Sequence, residues 1–71
     1  MSGRDIEKEY STKEFISKLR RLADSLESGG KFEIMIAGER IYVPVHATHN
    51  IEHEREGDTE EVEFQIKWKN T

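Results

Sequence analysis

The chain has 71 residues, 34% hydrophobic and 37% charged, so it admits one small domain with a modest core and excludes a two-lobed enzyme. Fifteen acidic against eleven basic side chains leave a formal net charge of −4, which argues against a general binder of nucleic acid or anionic membranes. The lack of cysteine excludes disulfide frameworks, thiolate metal sites and cysteine nucleophiles.

Near the N-terminus, residues 6–10 set Ile6 and Tyr10 against Glu7 and Glu9, an alternation that predicts a short edge strand. Over residues 12–27, Phe15, Ile16, Leu19, Leu22, Ala23 and Leu26 fall on one stripe at the 3.6-residue period, predicting an amphipathic helix. Ser11 and Glu14 form a capping-box pair at its start, and Gly29-Gly30 closes it.

Beyond Gly30 the period changes to two. Phe32, Ile34 and Ile36 alternate with Lys31, Glu33 and Met35; Ile41, Val43 and Val45 alternate with Arg40, Tyr42 and Pro44. Residues 50–56 alternate Ile51, His53 and Arg55 with Glu52, Glu54 and Glu56, a strand by period but a poor one by composition. The last strand sets Val62, Phe64, Ile66 and Trp68 against Glu61, Glu63, Gln65 and Lys67. Residues 37–39 and 57–59 read as tight turns. Pro44, lacking an amide hydrogen, marks its strand as an edge or that position as one facing no neighbour.

The expected fold is therefore α+β: one amphipathic helix packed on one face of a four-stranded antiparallel meander, with residues 6–10 as an additional edge strand. Residues 1–71 form one domain with its ordered core over residues 10–68. Leu19, Leu22, Phe32, Ile34, Val43, Phe64 and Ile66 are expected in the core, whereas Glu33, Tyr42, Glu54 and Glu63 are expected on the outer face. The longest unbroken apolar run is Ile34-Met35-Ile36-Ala37 and residues 4–9 are charge-rich, so neither a membrane span nor a secretory leader is expected, and the cytoplasm is the expected compartment.

The helix segment from Leu19-Arg20-Arg21-Leu22-Ala23-Asp24 to Gly29, followed by a glycine turn, alternating strands and the closing Glu63-Phe64-Gln65-Ile66-Lys67-Trp68, resembles the amphi-Trp domain, a small family of archaea and bacteria. The resemblance covers roughly residues 10–68. It implies a small domain and carries over no activity, cofactor or catalytic residue.

Several groups of residues carry chemistry worth weighing. His46, His49 and His53 are metal-ligand types at H-x2-H-x3-H spacing, but a loop and a strand hold them apart, and a solvated loop explains them better. Seven acids lie within twelve residues from Glu52 to Glu63; carboxylates so close repel and raise each other's pKa values, the mark of acid–base chemistry or a cation site, but an open sheet face has no pocket to desolvate them and a solvated acidic face explains them better. Lys18, Arg20 and Arg21 form a thin basic helix face, an alternative reading as a nucleic-acid contact. No nucleophile elbow or glycine-rich phosphate loop occurs, so a non-enzymatic domain without cofactor is expected. The preferred function is a protein-interaction module, self-associating as a homodimer through a sheet edge or the outer sheet face, with Tyr42, Met35 and Trp68 as apolar partner-binding candidates.

Overall fold

The computed structural model describes residues 3–70. Helix α1 spans Thr12–Ser28. The Glu14 amide donates to Ser11 Oγ at 3.2 Å and the Ser11 amide donates to the Glu14 carboxylate at 3.4 Å, so the expected capping box is formed. At the other end Gly29 takes φ 73°, the left-handed region that favours glycine. The Gly29 and Gly30 amides then donate back to Leu26 and Ser25 carbonyls, which would otherwise be left without partners. Ser11→Ala is expected to cost about 0.5–2 kcal/mol, read as a lower urea midpoint. An unchanged midpoint would show that the cap contributes nothing to the helix.

Strands β1 (Phe32–Ile36) and β2 (Glu39–Val43) pair antiparallel, as do β3 (Thr48–Glu56) and β4 (Thr59–Lys67). Ala37 at φ 47° and Gly38 at φ 84° make the first hairpin turn, and Gly57 at φ 59° opens the second; positive φ matches a turn to the right-handed twist of its strands. The α+β class is observed, with four antiparallel strands, but they form two separate two-stranded sheets rather than one meander of four. Pro44 has no amide to give to a ladder. The Ala47 amide donates to the Pro44 carbonyl at 3.2 Å, turning the chain out of β2 before β3 begins. Residues 6–10 form no strand either. The N-terminal segment is instead fastened by the Arg4 guanidinium, which pairs with the Glu39 carboxylate at 2.7 Å and also donates to the Ile36 carbonyl.

The core is smaller than the alternation predicts. Phe32 (7% exposed) and Val43 (8%) face each other across β1–β2, with Ala47 buried beside them. Leu22, Ile34, Ile66 and Trp68 pack around these three half-buried. Val43 faces inward and Tyr42 outward, the expected register, and Glu33 and Glu54 are exposed as expected, while Glu63 is half-buried. Leu19 and Phe64 are exposed rather than buried. The reason is the gap between the sheets: α1 packs on β1 and its backbone approaches neither β3 nor β4, so the helix stripe leaves the second hairpin uncovered. Among the described residues, no helix is long and apolar enough to cross a membrane.

Candidate functional site

The β3–β4 hairpin has two chemically different faces. On one, cross-strand register places Ile51 opposite Phe64 and His53 opposite Val62. Ile51, Val62 and Phe64 are 67%, 60% and 66% exposed, an apolar stripe in open solvent. The charged side chains beside it are already paired. Glu60 accepts from His53 Nε2 at 2.7 Å and from Arg55 Nη2 at 2.9 Å, and these two partners hold its carboxyl below the usual range.

The opposite face is acidic. Asn50 donates to Gln65 at 2.7 Å and Gln65 donates to Glu63 at 3.0 Å. Glu54, Glu61 and Glu63 bring carboxylate oxygens within 4.8 Å of one another. Glu61 is raised by its hydrogen bond with Glu63, then by the charges of Glu63 and Glu54. Glu63 is lowered by the hydrogen bond from Glu61, then by that from Gln65, with Lys67 adding its charge. As pH falls, Glu61 therefore takes up a proton before Glu63 does.

The two shifts have opposite signs in stability. The lowered Glu63 stabilises the hairpin above its unfolded pKa and loses that contribution as pH falls through its folded pKa. The raised Glu61 binds its proton more tightly when folded, a contribution that appears as pH falls through its folded pKa and is lost as pH rises through it. Carboxyl NMR titration is expected to find Glu61 above the usual range and Glu60 and Glu63 below it, and Glu63→Gln to return Glu61 toward the ordinary value. A Glu61 midpoint indifferent to that substitution would refute the coupling of the two carboxyls.

A second apolar surface adjoins the first. Between α1, the N-terminal segment and β1–β2 lies an open groove of about 620 Å³, lined by Phe15, Leu19, Leu22, Ile34 and Ile41 and running onto Phe64 and Ile66. Lys8 and Lys18 stand at this groove with their ammonium groups 5.3 and 4.9 Å from the centre of the Tyr10 ring.

The partner-binding candidates scatter. Tyr42 is exposed on the outward face of β2 opposite Glu33, away from the hairpin stripe. Met35 lines a polar cleft of about 420 Å³ together with Lys18 and Arg21. Trp68 is half-buried against the core, its indole N–H donating to Asn70 at 3.0 Å. Arg21 is committed to the fold: it donates to the Glu33 carbonyl at 3.1 Å and stacks 5.4 Å from the centre of the Phe32 ring. Arg20 is exposed on the helix. His46 sits in the turn after Pro44, while His49 and His53 lie four residues apart on β3, about 13 Å along a strand. Among the described residues no metal-holding group of three includes any of these imidazoles.

The stripe of Ile51, Val62 and Phe64 is the feature the sequence reading assigned to the core instead. A signal was available: Ile51 is the one large apolar side chain on β3, flanked on its own face by His49, His53 and Arg55, too little to hold a strand in a core.

A family model described as the Amphi-Trp domain matches residues 4–71. No curated protein and no solved structure matches the chain.

Proposed function

The chain belongs to the Amphi-Trp domain family, and from that premise and its surface chemistry we propose that it is a non-catalytic protein-interaction module, with the apolar face of the β3–β4 hairpin as its docking surface. One observation carries this reading. Ile51, Val62 and Phe64 present a contiguous apolar stripe in solvent, with the neighbouring charges already neutralised among themselves, so a partner covers it without stranding a charge. This moves the docking surface from the Tyr42 face to the opposite side of the other hairpin.

The chemistry of the remaining groups favours binding over catalysis. His53 and Glu60, the nearest approach to an acid–base pair, are about half exposed on an open hairpin, where water screens them. A nucleic-acid contact is disfavoured because Arg21 is held by the Glu33 carbonyl and the Phe32 ring.

Affinity capture from source cells tests the reading with three baits: the unaltered chain, an Ile51→Ser/Phe64→Ser double variant, and a Tyr42→Ser control. The expected result is a protein retained by the first and third and lost by the second. Equal retention by all three baits would overturn the docking face.

A further inference from the structure

Resting on that interaction reading, we infer that the hairpin's partner is a second copy of this chain, the β3–β4 hairpin of each copy lying over the apolar groove of the other. The surface area asks for such a cover. The chain exposes 6576 Å², whereas a folded monomer of 8.3 kDa exposes about 4,600 Å². Its radius of gyration of 13.7 Å likewise exceeds the roughly 11 Å of a compact chain of this length. The excess of about 2,000 Å² per copy falls within what each partner contributes to a permanent dimer interface, roughly 1,000–2,500 Å².

The excess is spread over the N-terminal segment, α1 and both hairpins, and it includes two apolar surfaces that match in chemistry. The protruding stripe of Ile51, Val62 and Phe64 and the recessed groove at Phe15, Leu19 and Ile41 are both apolar, and they meet at Phe64, which belongs to both. A two-fold axis passing near Phe64 lets each stripe fill the other copy's groove, so the contact closes at two chains instead of propagating. Within one copy the stripe reaches the groove only at Phe64, and Ile51 and Val62 lie outside its lining.

Charge orients the arrangement. The inward face buries Glu60 only with its partners His53 and Arg55, while Glu52, Glu54, Glu61 and Glu63 stay on the outward face. Those outward carboxylates keep the dimer soluble and oppose stacking of further copies.

Sedimentation equilibrium of the pure protein tests the inference, together with the Ile51→Ser/Phe64→Ser variant and circular dichroism to confirm that its helix persists. The expected result is twice 8.3 kDa for the unaltered chain and 8.3 kDa for the variant. A second measurement covers the case in which the variant does not fold. The chain has no cysteine, so a tagged Phe15→Cys chain mixed with an untagged Val62→Cys chain is expected to form a tagged–untagged disulfide on mild oxidation, and less of it after dilution below the dimer's dissociation constant. A monomer at every concentration, a dimer indifferent to the double variant, or mixed Cys chains that do not cross-link would each overturn the inference. The broader interaction reading fails separately: it survives a monomeric result if capture of another protein still depends on Ile51 and Phe64.

Discussion

Phe32→Ala is expected to remove about 3–5 kcal/mol of stability, the usual cost of truncating a buried aromatic side chain. For 71 residues the whole folding free energy is about 4–11 kcal/mol, so the variant is expected to be largely unfolded near the low end of that range. Phe32 is 7% exposed, faces Val43 across the β1–β2 ladder and carries the Arg21 guanidinium over its ring. Its loss therefore loosens the helix and the first hairpin together. Phe64→Ala is the informative contrast. Phe64 is the same residue type but exposed, and within one copy its truncation is expected to cost less than about 1 kcal/mol. Urea unfolding of both variants at low protein concentration checks the pair. Equal losses would mean that Phe64 is buried within its own chain and that the hairpin stripe is core.

Trp68→Ala is expected to cost about 2–3 kcal/mol, less than full burial gives because the indole is only half-buried, and Trp68→Phe is expected to recover much of it. The indole packs against the cluster of Phe32, Val43 and Ala47 at the point where β4 leaves the second hairpin, and it is one of the few contacts tying the two hairpins together. Hydrogen exchange is expected to show the β3–β4 amides losing protection ahead of those in α1. Uniform loss would show that the hairpins unfold as one unit without help from Trp68. If Trp68 were instead an anchor for a partner, Trp68→Ala would leave the urea midpoint of the isolated chain unchanged.

Local patterns in the chain determined the local structure. The Ser11–Glu14 box, the apolar stripe of α1 and the Gly29-Gly30 stop act within a few residues of one another, so the helix ends where they say, within a residue. The alternation that put Val43 inward and Tyr42 outward also holds, because side-chain parity along a strand is a property of the backbone pleat. The family resemblance, resting on the helix and the closing Trp68, is matched by the family model over residues 4–71.

Only the tertiary structure decided which apolar faces are covered. Alternation gives each strand an apolar side but not the element that lies over it, and Ile51, Val62 and Phe64 satisfy the pattern of a core while standing in solvent. The deciding events are few: Pro44 offers no amide, Ala47 hydrogen-bonds back to it, and the strands after them form their own sheet. One helix with one stripe then has a single hairpin to cover, and Ile51, Val62 and Phe64 stay in solvent because α1 packs on β1 and its backbone approaches neither β3 nor β4.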